Sequence, residues 1–296
     1  MRRLLPLMAL LALSGCDAGF GGPRTPSGSY PGLDGKPRPG ASWVPMAPSE
    51  RWIFSASWNG IPVGTACIEC VDVREVRGRK ALHVACTVQP NGYIEAIYHL
   101  RDEIASDIDL ETGLPLRFTK HIEEGSRLKD EYIEFDHAKR TATYFKKKLD
   151  EGETEFKVVH TMEIPEGIQD PLSSLFRLRA MALKEGVEEI VKVGTDEKVY
   201  DTHVQALARQ PVYLPNFGDL NTVYVQPILE YEGIFPNKGK LDLWMEEETR
   251  APVKLQVEIK IGLVQATLIR RDCAPEIPRI PKIPDSARIG GRPISP

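Results

Sequence analysis

The chain has 296 residues, of which 42% are hydrophobic and 27% are charged, and its formal net charge is −4. This composition is typical of a globular protein with an apolar core and excludes a largely disordered chain. Acidic residues outnumber basic ones, 42 to 38, so we expect no nucleic-acid partner.

The N-terminus has the pattern of an export signal. Arg2 and Arg3 precede an apolar run that is too short to span a bilayer. The run ends in Leu-Ser-Gly directly before Cys16, which resembles the lipobox of bacterial lipoproteins. The resemblance implies a signal peptide of residues 1–15 and a lipidated Cys16 carrying acyl chains such as palmitate. The alternative is an ordinary signal peptide with an incidental cysteine.

The lipobox resemblance implies that the mature protein lies on the periplasmic face of a bacterial membrane. No second apolar segment of membrane-spanning length follows, so the lipid is the only expected membrane anchor. Asp17 follows the cysteine, and an aspartate there retains enterobacterial lipoproteins in the inner membrane. We slightly favour the outer membrane as the location, and the inner membrane is the alternative.

Residues 16–49 are rich in Gly, Pro and Ser, a composition that cannot bury enough apolar surface to fold. We expect them to form a flexible tether with an end-to-end distance of about 30 Å. A β-rich domain is predicted over residues 50–273. Residues 274–296 form a proline-rich tail, which is either a solvated extension or a docking segment for a partner.

The β-rich region shows apolar residues with period two, interrupted by turn signals at short intervals. Asn59-Gly60 predicts a type I′ hairpin turn, and a second turn is expected near Arg77-Gly78. The stretch Gln210–Gly218 is predicted to be a loop that carries aromatic residues. The predicted strands are 52–58, 63–73, 81–88, 93–98, 116–122, 131–135, 141–145, 156–164, 189–193, 198–208, 223–231, 240–244, 253–261 and 263–270.

One amphipathic helix is predicted at about residues 170–185. Asp170 is a good N-cap, Pro171 suits the first helical position and Gly186 suits the C-terminal stop. Apolar residues between them form one broad face. The predicted fold class is therefore mainly β: a curved antiparallel meander or open barrel that carries one helix.

Three stretches resemble a known bacterial family. They are RWIFSASWNGIPVGTACIE from Arg51, DPLSSLFRLRAMALKEG from Asp170 and LDLWMEEETRAPVKLQVEIKIGLVQATL from Leu241. Together they resemble domain-of-unknown-function family 3108. The resemblance implies an exported, β-rich envelope protein, and it transfers no catalytic residue because the family has no assigned activity.

Four cysteines follow Cys16. If the hairpin turn is centred on Gly78, Cys70 lies opposite Cys86, and an oxidising periplasm permits a disulfide between them. Cys67 and Cys273 would form a second disulfide. Free buried thiols are the main alternative, and a metal or redox role is the other. A register error of one residue would undo the first pairing.

The sequence contains no motif typical of catalysis, so we expect no enzyme, no cofactor and no metal site. Binding is the remaining class of function, because a curved sheet capped by a helix can enclose a ligand. The candidate ligand-binding residues are aromatic: Trp58, Tyr93, Tyr98, Tyr213 and Trp244.

The leading hypothesis is a non-enzymatic envelope protein that binds or carries a hydrophobic ligand or an envelope glycan. The first alternative is a structural or assembly partner of an envelope complex, which would use the sheet edge or the proline-rich tail. The second alternative is a hydrolase that acts on envelope glycans. That alternative requires a cleft with convergent carboxylates.

Overall fold

The computed structural model describes residues 41, 43–47, 50–95, 100–124, 126–181, 183–195, 198–229, 239–259 and 262–272. Cys16, Tyr98, Cys273 and the proline-rich tail, on which several predictions rest, lie outside these ranges. The described elements are β1 (Arg51–Trp58), β2 (Ile61–Val76), β3 (Arg79–Pro90), α1 (Gly92–Glu95), β4 (Leu100–Asp109), β5 (Pro115–Glu124), β6 (Arg127–Asp136), β7 (Thr141–Lys148), β8 (Lys157–Glu163), α2 (Ser173–Ala180), β9 (Glu188–Gly194), β10 (Val199–Leu214), β11 (Gly218–Leu229), β12 (Gly239–Glu246), β13 (Pro252–Ile259) and β14 (Gly262–Asp272).

All fourteen strands belong to one antiparallel sheet, which confirms the mainly β prediction. The strand order is β8-β7-β6-β5-β4-β3-β2-β1-β14-β13-β12-β11-β10-β9. Each half is an up-and-down meander, and the halves are joined in the middle because β1 pairs with β14. The two edges are β8 and β9, and the segment after β8 reaches β9 through a bridge between Gln169 and Val193.

The two predicted hairpin turns are confirmed. Asn59 and Gly60 have φ values of 48° and 80°, and Arg77 and Gly78 have φ values of 53° and 77°. Two successive residues with positive φ are the signature of a type I′ turn, whose twist matches that of the flanking strands. These turns fix the register of β1 with β2 and of β2 with β3.

One face of the sheet carries the buried apolar side chains of the core, and we call it the enclosed face. Trp52 and Phe54 on β1, Phe118 on β5 and Phe135 on β6 belong to one large apolar cluster, together with Phe176 of α2. A second cluster lies under β9 to β12 and includes Leu178, Met181 and Leu183 around the C-terminal end of α2. The helix therefore packs between the two halves of the sheet.

The helix is shorter than the predicted span of 170–185. It covers Ser173–Ala180, and Met181 leaves the helical conformation with φ −66° and ψ 144°. Asp170 acts as predicted at the N-terminus, since its Oδ1 accepts hydrogen bonds of 2.7 Å from the backbone N–H groups of Leu172 and Ser173.

Two local predictions were wrong. Gly92–Glu95 form the short helix α1 where a strand was expected over 93–98. Most of the predicted loop 210–218 is strand, since β10 extends to Leu214 and β11 begins at Gly218. Pro211 is tolerated there because β9 pairs with β10 only as far as Gln205, so the missing N–H faces no neighbouring strand.

The folded region begins before the predicted boundary at residue 50. Trp43, Val44 and Met46 are buried, and the Val44 N–H donates to the carbonyl of Phe176. A tether that starts at Cys16 therefore ends before Trp43.

The two ends of the sheet differ. Where β1 begins and β14 ends, α2 and the segment Trp43–Met46 pack across the sheet, and we call this the packed end. At the opposite end lie the β1–β2 turn and α1, and we call this the hairpin end. Within the described ranges, neither helix combines the length and the apolar character needed to cross a bilayer.

Candidate functional site

Four charged side chains converge on the enclosed face of β5, β6 and β7, and we call them the lysine cluster. Glu131 of β6 lies between its cross-strand partners Lys120 of β5 and Lys146 of β7. The Lys120 Nζ is 3.1 Å from Glu131 Oε2, and the Lys146 Nζ is 3.4 Å from Oε1. Lys129, two residues before Glu131 on β6, places its Nζ 2.6 Å from the same Oε1.

The alternation of side chains places this cluster on the enclosed face. Glu131 is on the same face of β6 as Ile133 and Phe135, and Lys120 is on the same face of β5 as Phe118. Ile133, Phe135 and Phe118 belong to the large core cluster. The cluster therefore continues the core toward the hairpin end with charged groups instead of apolar ones.

Glu131 is the most buried member, and its ionisation depends on the lysines. Burial alone raises the pKa of the Glu131 carboxyl, but the nearby Lys120 and Lys129 ammonium groups lower it to about 2. The side-chain exposure is 1% at Glu131, 8% at Lys120, 17% at Lys129 and 30% at Lys146. The lysines thus form a path of increasing exposure from the buried carboxylate to solvent.

An exposed apolar patch, formed by Trp58, Ile61 and Tyr93, lies at the hairpin end. Trp58 and Ile61 are cross-strand partners at the tip of the first hairpin. Asn91, just before α1, donates its side-chain N–H to the Pro62 carbonyl at 2.7 Å, which holds α1 against the hairpin. Ile61 is 63% exposed and Tyr93 is 85% exposed.

A second charged group lies on the opposite face of β5, β6 and β7, and we call it the outer cluster. His121 Nδ1 is 2.6 Å from Asp130 Oδ1, and His121 Nε2 is 3.0 Å from Glu123 Oε1. Lys147 contacts the other oxygen of Asp130 at 2.9 Å. Burial lowers the pKa of His121, but the two carboxylates raise it to about 9, so the imidazole is positively charged at neutral pH.

Comparison with known proteins adds a family to this geometry. Residues 53–269 match the family model described as protein of unknown function (DUF3108). The chain belongs to the DUF3108 family. No match was found among curated proteins. A similar solved structure is the crystal structure of a beta-barrel-like protein of domain of unknown function DUF1849 from Brucella abortus. It has 11% identity and a TM-score of 0.41, and the match covers 76% of this chain and 98% of that one.

Of the four predicted aromatic residues that the structure describes, Trp58 and Tyr93 lie at the hairpin end. Tyr213 is 67% exposed near the β10–β11 turn, at the packed end. Trp244 lies on the outer face of β12, where its ring stacks on Tyr224 at 5.0 Å and the Lys254 ammonium lies 4.5 Å from its centre. The fifth, Tyr98, is outside the described residues.

The predicted disulfide between Cys70 and Cys86 was wrong. The β2–β3 turn is centred between Arg77 and Gly78, and a bulge follows near Cys70, so Cys70 lies opposite Val84. Cys67, Cys70 and Cys86 are buried, and no disulfide joins them to one another. Burial raises the pKa of the Cys86 thiol to about 12, which keeps it protonated and unreactive.

The described residues contain no group of three or more His, Cys, Asp or Glu side chains that could hold a metal ion. A catalytic triad would need a serine, a histidine and one shared carboxylate. Here a serine and a histidine each contact a buried aspartate, but the two aspartates are different. Ser106 donates to Asp170 at 2.5 Å, whereas His83 contacts Asp107 at 2.8 Å. The serine and the imidazole therefore have different carboxylate partners.

The sequence analysis missed the lysine cluster, although a signal was present. In LRFTKHIEE, LKDEYIEFD and ATYFKKK, Lys120, Glu131 and Lys146 occupy positions in phase with apolar residues. A charged residue in the core phase of a strand is unusual because its burial requires a partner. Three such residues on adjacent strands would have indicated a site.

Proposed function

We propose that this protein is a non-enzymatic, lipid-anchored binding protein of the bacterial cell envelope. It binds or carries a hydrophobic ligand or an envelope glycan at the hairpin end of its sheet. The exposed patch of Trp58, Ile61 and Tyr93 carries this proposal. Large apolar side chains that stay exposed together on a folded domain mark a binding surface.

The difference between the two ends supports this location. At the packed end, Trp43–Met46 and α2 fill the space beside Trp52 with buried side chains. At the hairpin end, by contrast, the side chains of Ile61 and Tyr93 stay exposed. The hairpin end therefore keeps an apolar surface that a ligand can reach.

The proposed membrane anchor fits the same arrangement. The chain from Cys16 would enter the folded region at Trp43, which lies at the packed end. The tether would thus leave the hairpin end free to face the periplasm or a partner membrane. The lipid itself is tested by growth with an alkyne-labelled fatty acid. We expect the wild-type protein to be labelled and the Cys16→Ser variant to lose the label.

Native mass spectrometry tests the binding function. The protein, residues 17–296, is exported behind a cleavable signal so that Trp43–Met46 remain in the chain, and it is purified from the periplasm without detergent. We expect a bound molecule that dissociates on denaturation, and its mass identifies a lipid or a glycan. A bare polypeptide mass, when protein is prepared from its native envelope, would overturn the proposal.

The patch offers a matched pair of variants for the same measurement. Tyr93→Ser removes an exposed aromatic ring at the hairpin end, whereas Tyr213→Ser removes one at the packed end. We expect Tyr93→Ser to lower the fraction of protein with bound ligand and Tyr213→Ser to leave it unchanged. Equal occupancy in both variants would move the binding site away from the patch.

A further inference from the structure

We propose that the hairpin end docks on the surface of a lipid bilayer, with Trp58, Ile61 and Tyr93 entering the boundary between head groups and acyl chains. This inference rests on the proposed function, because it uses the same exposed patch, and it names the partner of that patch. The bilayer is then the surface at which the protein takes up or delivers its ligand.

The patch lies on a projecting tip of the fold. The five consecutive residues 58–62 are all exposed. Trp58 and Ile61 are partners across the type I′ turn that they flank, and Tyr93 is exposed on α1 beside this hairpin. A projecting tip can enter the boundary layer of a bilayer, where head groups and acyl chains rearrange around it.

The segments that build this tip carry no charged side chain. Residues 52–68, which contain the first hairpin turn, include no Asp, Glu, Lys, Arg or His. The same is true of residues 84–94, which lead into α1 and contain Tyr93. Transfer of a charged group from water into a bilayer is costly, so a tip built from uncharged segments suits contact with lipid.

The residue types favour lipid over a glycan as the partner of the tip. Trp and Tyr are enriched where proteins meet the head-group region, because their rings are apolar and carry one polar group. Ile61 is 63% exposed at the turn. Its side chain has neither a ring to stack on a sugar nor a group to form a hydrogen bond, but it gains free energy by leaving water for acyl chains.

Asn59 and Asn91 satisfy backbone polar groups at the tip. The Asn59 N–H donates to the Leu263 carbonyl, and Asn59 Oδ1 accepts from the Leu263 N–H, both at 2.8 Å. Asn91 Nδ2 donates to the Pro62 carbonyl at 2.7 Å. Backbone groups that enter a bilayer without such partners would lose their hydrogen bonds to water. These contacts also order the tip before it binds, which lowers the entropic cost of docking.

Vesicle co-sedimentation tests the inference. The protein without its lipid, residues 17–296, is mixed with vesicles of palmitoyl-oleoyl-phosphatidylcholine, whose head groups have no net charge. We expect the protein to sediment with the vesicles. The bound fraction should be equal in about 0.05 and 0.5 M salt, because apolar contacts are not screened. Binding that disappears at the higher salt concentration would show an electrostatic contact and overturn the inference.

Two matched pairs of variants locate the contact. Ile61→Ser should weaken vesicle binding about tenfold, because most of this side chain leaves water on docking. Ile190→Ser alters an isoleucine that is 54% exposed on the edge strand β9, and it should bind like the wild type. Tyr93→Ser should weaken binding and Tyr213→Ser should not. Equal effects within each pair would overturn docking through the tip.

Tryptophan fluorescence gives an independent measurement on the same vesicles. Lipids brominated on their acyl chains quench a tryptophan that contacts them, and Trp43 and Trp52 are buried in the fold. We expect quenching in the wild type and in Trp244→Phe, and its loss in Trp58→Phe, which keeps an apolar ring at the tip. Quenching that survives in Trp58→Phe would place the bilayer contact elsewhere.

The outcomes distinguish this inference from the proposed function. Failure to sediment with vesicles, when native mass spectrometry finds a bound molecule, would overturn bilayer docking and leave the binding function standing. Lipid that leaves the vesicles and stays in the supernatant with the protein, without sedimentation of the protein, would assign the patch to a single bound lipid. Sedimentation with vesicles of a protein that has no bound molecule would support docking and overturn the binding function.

Discussion

Arg51 and Asp272 lie opposite each other on β1 and β14 and form a buried ion pair, with 3.1 Å between Arg51 Nη2 and Asp272 Oδ2. They are the first residue of the first strand and the last residue of the last strand. The pair therefore joins the two meanders of the sheet at the packed end. It also places the points where the chain enters and leaves the sheet side by side.

We predict that loss of either charge destabilises the fold more than loss of both. Arg51→Met leaves the Asp272 carboxylate with Arg270, 2.7 Å away, and Asp272→Leu removes the carboxylate opposite Arg51. Each single change should cost about 1–3 kcal/mol, and the double change should cost less than either single change. Urea unfolding gives these energies.

The exposed pair of Arg140 and Glu166, 2.9 Å apart, provides the control for this double-mutant cycle. Its removal should leave the unfolding midpoint nearly unchanged because solvent screens both charges. Additive losses at Arg51 and Asp272 would show that the two residues act independently.

The sequence predicted the fold class because the strands are regular and the turns carry strong local signals. Asn59-Gly60 is an example, since its backbone preference is a property of two adjacent residues. The pairing of β1 with β14 was beyond such reasoning, because it joins residues about 220 positions apart along the chain. β4 was missed because Asp102 and Ser106 occupy core positions and break its apolar alternation.

The candidate site was predicted less well for a related reason. Exposed aromatic residues indicate a binding surface only when several lie at one place on the fold. The sequence does not show that Trp58 and Tyr93 lie at one end of the sheet and Tyr213 at the other. The position of α1 beside the first hairpin depends on Asn91, which donates to the Pro62 carbonyl. The disulfide prediction failed because the β2–β3 turn is centred between Arg77 and Gly78 and not on Gly78. A bulge near Cys70 then shifts the register of β2 with β3 once more, so that Cys70 lies opposite Val84.

We predict a loss of stability above neutral pH that depends on His121. The pKa of His121 is raised to about 9 in the fold, from 6.5 in the unfolded chain. A raised histidine pKa contributes stability that is fully present below pH 6.5, declines as the pH rises and is lost above about pH 9. The contribution is at most about 3 kcal/mol.

Urea unfolding at pH 6.5 and pH 9 measures this contribution. The variant His121→Gln should lose most of the difference between the two pH values. His203→Gln alters a histidine that is 2.6 Å from Glu188 but more than a third exposed, and it should keep the wild-type difference. An unchanged pH dependence in His121→Gln would assign the effect to other groups.

We predict that ionisation of Asp170 destabilises the fold. An ion-paired carboxylate has the opposite effect, because its ionised form stabilises the fold. Burial raises the pKa of Asp170 to about 6, against the hydrogen bonds from Ser106 and from the Ser173 and Leu172 backbones, which lower it. The folded state thus favours the protonated form. Ionisation lowers stability as the pH rises from about 3.8 to 6, by up to about 3 kcal/mol.

Two substitutions at Asp170 separate its charge from its hydrogen bonds. Asp170→Asn keeps an oxygen for the Leu172 and Ser173 N–H groups and offers an N–H to the Ser106 hydroxyl, so it should be more stable than the wild type at pH 7. Asp170→Ala leaves these buried groups unsatisfied and should cost about 2–3 kcal/mol. Thermal unfolding at pH 4 and pH 7 measures both. If Asp170→Asn unfolds as readily as Asp170→Ala, the negative charge itself is needed.

Arg179 is predicted to hold the N-terminal segment at the packed end. Its Nη1 donates to the carbonyls of Val44 and Pro45 at 3.0 and 2.7 Å, and its Nη2 donates to the carbonyl of Thr249 at 3.0 Å. The guanidinium also lies 4.9 Å from the centre of the Trp52 ring. A single lysine ammonium is too short and too compact to reach both the N-terminal segment and the β12–β13 turn.

Arg179→Lys should therefore cost about 2–4 kcal/mol, because buried carbonyls lose their donors. The loss should concentrate at the packed end, so amide hydrogen exchange at Val44 should accelerate more than exchange in β5 or β6. Arg177→Lys changes the same residue type two positions earlier on α2, where the side chain is 36% exposed, and should leave exchange at Val44 unchanged. If exchange accelerates equally throughout the sheet in Arg179→Lys, Arg179 stabilises the whole sheet, and the N-terminal segment depends on its apolar contacts instead.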